Sequence, residues 1–281
     1  MNYLDQIFFC LRGIPLPITD KDTYRTDPEK PCSLLARIFP GPTFTFYPQA
    51  FWIVRTNARK ALKGLYGGAE WAESSLDIMR ALENVGVRIE ITGMDNIRKS
   101  EGPVVFISNH MSTLETFILP CIIQPIKETT FIVKQSLVSM PVFGPVMRSR
   151  DPVVVGRVNP RDDLRTVLEE GSKKLAAGRS IVVFPQSTRA QVFNPAEFNT
   201  LGIKLALKAG VPVVPIALKT DAWGTGKIMK DFGRVDKNKR VYFTFGEPIK
   251  IEGRGTEEHR RVLAFIQDNL AKWATEDENR E

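Results

Sequence analysis

From about Val87 onward, short apolar runs alternate with longer amphipathic stretches. The runs VRIEI (87–91), VVFIS (104–108), TFIV (130–133), PVVV (152–155), SIVVF (180–184), VPVVPIAL (211–218) and VYFTF (241–245) have the length and β-branched content of strands. Most are apolar without interruption rather than at alternate positions, which predicts strands buried on both faces. Between them, Leu164, Val167, Leu168 and Leu175 recur at helical spacing, opened by Asn159-Pro160 and stopped at Gly178. Asn199 can cap a helix that ends at Gly210, and Thr256 opens a last helix with Val262, Phe265, Ile266 and Leu270 on one side. Strands alternating with helices predict an α/β fold: a mainly parallel, twisted sheet covered by helices on both faces.

Residues 1–86 have a different texture and read as a helical N-terminal appendage to an α/β domain spanning 87–281. Residues 1–33 are rich in Pro, Asp, Lys and Thr without a clear period and form a lead-in. Two helices follow, over 49–65 and 69–85, separated by Gly67-Gly68. The charge-free segment 38–54 is aromatic but shorter than the about 20 apolar residues that a spanning helix needs. Its Pro40, Pro42 and Pro48 are expected to break a helix. With Arg37, Arg55, Arg59, Lys60 and Lys63 around it, the segment either lies in a lipid headgroup layer or packs on the protein's own core.

Composition narrows the class. With 43% hydrophobic and 25% charged residues over 281 positions, collagen-like, coiled-coil and wholly disordered chains are excluded. The net charge of +7 favours an anionic partner: nucleic acid, phosphorylated metabolites or an acidic membrane surface. Apart from the loop 227–240 the basic residues are dispersed and no nucleic-acid motif appears, so no nucleic-acid partner is expected. Cys10, Cys32 and Cys121 have no metal-ligand spacing, and no metal is expected. The three thiols and the lack of a signal-peptide pattern fit a reducing compartment.

Candidate chemistry concentrates after two strands. VVFIS runs into SNHMSTLETF, which places His110 where a strand's carboxyl end enters a turn, the usual ligand-binding position of an open α/β sheet. Glu115 lies five residues on, so the two meet only if His110 is in the turn and Glu115 in the first helical turn, with Ser112 as cap. A carboxylate there would hold the imidazole as a general base. The same Ser112-x-x-Glu115 spacing is also a capping box, and both readings stand at this level. The other histidine, His259, sits among charged residues of the last helix and reads as a surface group. In SIVVFPQSTRA, Gln186, Ser187, Thr188 and Arg189 leave a buried strand together and suit a phosphate or oxyanion, or else a polar turn with a surface ion pair. Lys134 ends one strand and Arg157 follows the next, with an apolar loop shaped by Pro141 and Gly144 between. No GxSxG, Walker A, GxGxxG, HExxH or CxxC motif competes.

Taken in order, these segments resemble the glycerolipid acyltransferase family, the 1-acylglycerol-3-phosphate acyltransferases and their relatives. Asn109, His110 and Glu115 match its Asn-His-x4-Asp motif, with Glu in place of Asp. Lys134, Leu137, Pro141, Gly144 and Arg157 match the second motif, with Ser136 where Glu is usual. Residues 184–189 match Phe-Pro-Glu-Gly-Thr-Arg with Gln186 and Ser187 replacing Glu-Gly, and Val211–Pro215 matches the fourth. The resemblance implies transfer of an acyl group from a thioester, on acyl carrier protein or coenzyme A, to a lysophospholipid hydroxyl. His110 is then the general base and Glu115 its orienter; Lys134, Arg157, Gln186, Ser187, Thr188 and Arg189 contact substrate. No cofactor is implied, since the thioester enters as co-substrate. Membrane lipids are the expected partners, and a peripheral or monotopic position on a cytoplasmic membrane face the expected location. The Gln186-Ser187 departure leaves open another hydroxyl acceptor, or an inactive lipid-binding protein.

Overall fold

A computed structural model of the protein describes residues 18–38, 41–186, 188–226 and 231–279. Residues 1–17 with Cys10, Ser187 and the start of the basic loop at 227–230 lie outside the described residues.

All seven expected strands form: β2 Ile89–Thr92, β3 Val105–Ser108, β4 Thr129–Lys134, β5 Val153–Val155, β6 Ser180–Val183, β7 Val213–Lys219 and β8 Val241–Phe245. A two-residue strand, β1 Tyr24–Arg25, adds to them from the lead-in, held by a backbone ladder to β2 and by Glu83, which accepts from Tyr24, Thr26 and Lys30. The sheet order is β1-β2-β8-β7-β3-β6-β4-β5. Five of the seven pairings are parallel; β1–β2 and β7–β8 are antiparallel.

The helices are α1 Leu34–Ile38, α2 Pro42–Leu62, α3 Gly68–Asn84, α4 Met94–Arg98, α5 Leu114–Ile123, α6 Gln135–Val138, α7 Phe143–Ser149, α8 Pro160–Ala176, α9 Leu201–Ala209 and α10 Thr256–Glu278. Strand side chains split between two cores. Phe106, Val182, Val214, Ile216 and Phe243 join α2, α3, α5 and α7 on one face, and Val105, Ile107, Ile181, Val213 and Tyr242 join α8, α9 and α10 on the other. Both faces of the central strands are thereby buried, as their uninterrupted apolar runs require.

Two local expectations fail. Pro42 and Pro48 do not keep α2 from starting before Gln49: Pro42 sits in the first turn, where its missing N–H has no intrahelical partner to lose. Pro48 lies within the helix on its exposed side, where the unpaired carbonyl it leaves is not trapped in the core. The segment around Pro141 and Gly144 is not an open loop but two short helices, α6 and α7. Gly144 permits their close approach, since a Cβ there would lie 2.6 Å from the Val138 carbonyl oxygen.

The chain order explains where a cleft must open. From β3 the chain passes through α5 to β4 on one side; from β6 it passes through α9 to β7 on the other. β3 and β6 are neighbours, so their carboxyl-end loops diverge and leave a crevice between them. Helix α9 closes tightly on β3 because residue 202 is glycine: a Cβ would lie 2.6 Å from Ile107 Cδ1. Gly202→Val is therefore expected to overpack this seam and destabilise the protein by about 1–3 kcal/mol, read as a lower urea midpoint with an unchanged m-value.

Candidate active site

The crevice is built from the loops after β3 and β6. Asn109 ends β3 by pairing its side chain with Leu218 on β7, donating to Leu218 O at 2.8 Å and accepting from Leu218 N at 3.0 Å. With the ladder closed by a side chain, the chain turns at His110. That turn is tied to the other loop twice: the His110 N–H donates to Gln186 Oε1 at 2.7 Å, and the Ala190 N–H donates to the His110 carbonyl at 3.0 Å. The imidazole stacks on Phe184 with ring centroids 4.3 Å apart.

Glu115, in the first turn of α5, lies 2.8 Å from His110 Nδ1 through Oε1. The same oxygen accepts from Met111 N at 2.6 Å and Ser112 N at 2.9 Å. Its partner Oε2 accepts from Thr220 Oγ1 at 2.6 Å and lies 3.0 Å from Ser112 Oγ. The dyad and the capping interaction are therefore one arrangement. Thr113, not Ser112, is the formal cap of α5, but Ser112 Oγ still accepts from Leu114 N at 3.1 Å. Burial by itself pushes the Glu115 carboxyl up. The hydrogen bond and charge of His110, with the Thr220 and backbone donors, outweigh it and hold Glu115 below the ordinary value of 4.5. Glu115 is thus an anion at neutral pH. It fixes the proton on Nδ1 and leaves Nε2 as the basic nitrogen of His110.

Arg189 lies beside this pair. Its guanidinium donates to Thr113 Oγ1, at the head of α5, and to Asp231 Oδ1. Thr188 is exposed beside it, and Ser187 lies outside the described residues. Lys134 ends β4 and is exposed, two strand spacings from β3, or about 10 Å along the carboxyl edge. Arg157 follows β5, one strand further out, with its backbone N–H on Asp163 and a left-handed φ of 55°. The fold thus gathers His110, Glu115, Gln186 and Arg189, and sets Lys134 and Arg157 along the rim of the same edge. His259 is half-buried, 6.0 Å from the Phe198 ring centroid, and burial lowers its pKa from 6.5.

Two contributors were not singled out from sequence. Thr220, fully buried just past β7, holds Glu115 Oε2, and its own N–H meets Met111 Sδ at 3.2 Å. Its flanking residues pin the strand end: Lys219 pairs with Asp221 and with Asp277 of α10, each at 3.0 Å. The one available signal is a hydroxyl at the carboxyl end of a buried strand. Asp231 has no sequence signal. Among the described residues no group of three or more His, Cys, Asp or Glu could hold a metal ion.

Replacing Glu115 by Gln would set an amide N–H₂ among groups that need an acceptor. Glu115→Gln is expected to destabilise the fold by about 1–3 kcal/mol at neutral pH. Because the folded carboxyl is depressed, its stabilisation is present above about pH 4.5 and lost as pH falls through the folded value. Urea titrations from pH 7 to pH 3 should show the wild-type advantage over Glu115→Gln shrinking below about pH 4.5.

Residues 88–219 match the family model described as Acyltransferase. A 1-acyl-sn-glycerol-3-phosphate acyltransferase of Pseudomonas aeruginosa is 28% identical over 206 residues, covering 73% of this chain and 74% of that one. A chloroplastic 1-acyl-sn-glycerol-3-phosphate acyltransferase of Brassica napus is 34% identical over 142 residues, half of this chain but only 39% of its own length. The crystal structure of the 1-acyl-sn-glycerophosphate acyltransferase from Thermotoga maritima superposes with a TM-score of 0.60 at 21% identity, covering 83% of this chain and 95% of that one, and so shares the fold. The α/β sheet, the His110–Glu115 crevice inside the matched segment and these relatives agree: the chain is an O-acyltransferase, and its acyltransferase segment is similar to the 1-acyl-sn-glycerol-3-phosphate acyltransferases of phospholipid biosynthesis.

Proposed function

We propose that this enzyme transfers a fatty acyl group from a thioester, on acyl carrier protein or coenzyme A, to the hydroxyl of a phosphate-bearing lysophospholipid such as 1-acylglycerol-3-phosphate. The observation that carries the reading is the His110–Glu115 pair, 2.8 Å apart at the mouth of a switch-point crevice with Arg189 alongside. His110 Nε2 takes the proton of the acceptor hydroxyl as its oxygen attacks the thioester carbonyl; the carbon–sulfur bond breaks and the departing thiolate recovers a proton from the imidazolium. Glu115 stabilises that imidazolium. Arg189 offers a planar pair of donors to the acceptor phosphate. Lys134, Arg157 and Thr188 add polar groups along the edge.

Gln186 supports a phosphate-bearing acceptor over a reshaped pocket. It is buried, and its side-chain oxygen is engaged with the His110 backbone, a contact that Gln and Glu make equally well.

Docking on a membrane surface belongs to the same proposal. Phe44, Phe51 and Trp52 stand out from one side of α2 with exposures of 76, 58 and 65%, followed along that side by Arg55 and Arg59. Apolar groups at one end and cations at the other suit a helix lying in an anionic headgroup layer. Among the described residues no helix is long and apolar enough to cross a membrane.

A panel of lysolipid acceptors, each offered with acyl carrier protein and coenzyme A thioesters, tests the activity. His110→Ala is expected to lower kcat by about 10²–10⁴ while remaining folded by circular dichroism. Thr220→Val, which removes one donor to Glu115, is expected to lower kcat by about tenfold with little change in either KM, and Thr220→Ser to restore it. For membrane docking, the double variant Phe51→Ser, Trp52→Ser should partition into anionic vesicles at least about tenfold more weakly, and molar salt should release much of the wild type.

A further inference from the structure

The Arg189 guanidinium meets an anion of the protein's own. One of its terminal nitrogens donates to Asp231 Oδ1 and the other to Thr113 Oγ1. Asp231 is carried on an arm whose backbone is held from several sides. Trp223 Nε1 donates to the Asp231 carbonyl at 3.1 Å, and Tyr47 of α2 donates to the Gly233 carbonyl at 2.5 Å. The Val235 N–H donates to Thr43 Oγ1 at 3.0 Å, and the Gly224 N–H to the Arg234 carbonyl at 2.9 Å. Gly233 is packed so closely that a Cβ would fall 1.8 Å from the Gly224 carbonyl oxygen. The carboxylate is therefore presented from a fixed backbone, while its side chain, 41% exposed against 27% for Arg189, has room to turn away.

We propose that Asp231 is a resident counter-ion which makes this acceptor site selective for phosphomonoesters over phosphodiesters. The inference rests on Arg189 as the phosphate contact in the proposed function. An incoming headgroup needs the guanidinium hydrogens that Asp231 holds, and two anions on one cation repel. A phosphomonoester carries about −1.5 to −2 at neutral pH and outcompetes a single carboxylate. A phosphodiester carries one negative charge, so it meets Asp231 as an equal and gains nothing by displacing it. A carboxylate on the phosphate-binding arginine thus weakens binding of every acceptor, and of the singly charged ones most.

The test compares Asp231→Asn with the wild type on a phosphomonoester lysolipid and a phosphodiester lysolipid sharing one acyl chain. KM is measured for each, and protection from thermal unfolding is measured with inorganic phosphate and with dimethyl phosphate. A partly exposed pair of this kind is worth about two- to fivefold in affinity. The expected result is that the ratio of diester to monoester KM falls by about two- to fivefold, and that dimethyl phosphate protects the variant more than it protects the wild type. An unchanged ratio, or a rise in KM for both acceptors, would show that Asp231 only props Arg189 in place and would overturn the proposal. Asp231→Ser, judged by the same ratio, replaces Asp231→Asn if the latter does not fold. Arg189→Ala separates the underlying reading: if it leaves monoester KM and phosphate protection intact, the phosphate contact itself is wrong, whatever Asp231 does.

Discussion

A carboxylate with no exposed surface governs the geometry of this site. Glu115 has given up all hydration, and an unpaired charge in that position would cost several kcal/mol. Its two oxygens are met instead by donors from the His110 turn, the Met111 and Ser112 backbone and the Thr220 hydroxyl. These donors come from the end of β3, the start of α5 and the end of β7, so all three must be in register for the charge to be tolerated. The interaction that orients the imidazole is the same one that closes the first turn of α5. A fold that holds Glu115 ionised holds His110 in place by the same bonds.

The sheet supplies the room in which this happens. Because the chain leaves β3 onto the face covered by α5 and leaves β6 onto the opposite face, covered by α9, adjacent loops part and expose the strand ends. Gln186 bridges the parting by binding the His110 N–H, and Phe184 covers one face of the ring. The imidazole is therefore held by one neighbour through its backbone, by another through its π-face, and by Glu115 through Nδ1. Its Nε2 edge remains for chemistry.

The helices before the sheet join the site to the outer surface. Phe46 and Tyr47 of α2 pack on Trp223, with ring centroids 5.0 and 5.6 Å away, and Trp223 stacks on Phe117 of α5 at 5.7 Å. The inner side of α2 thus holds the arm that bears Asp231 directly and reaches the helix that bears Glu115 through Trp223, while its outer side carries the exposed aromatic residues. A helix serving two surfaces in this way explains why Pro48 is tolerated: it falls on the outer one.

Periodicity in the chain was enough to set the strands, the helices after β5 and the parallel character of the sheet, because apolar runs and caps are local signals. The His110–Glu115 pairing was legible for the same reason: five residues across one turn leave few geometries, and a cap selects among them. What tertiary structure alone decided lies far apart in the chain. Gln186 reaches His110 over 76 residues, Thr220 reaches Glu115 over 105, and Asp231 approaches Thr113 over 118. None of these contacts has a local pattern, since each depends on which strands become neighbours in the sheet. Sequence could place Gln186 in a substrate-facing motif, but only the packed sheet turns its oxygen inward to the His110 backbone. The charge on Arg189 was visible from the start; that it meets a carboxylate of the same chain is a consequence of the loop carrying Asp231 folding back on α2.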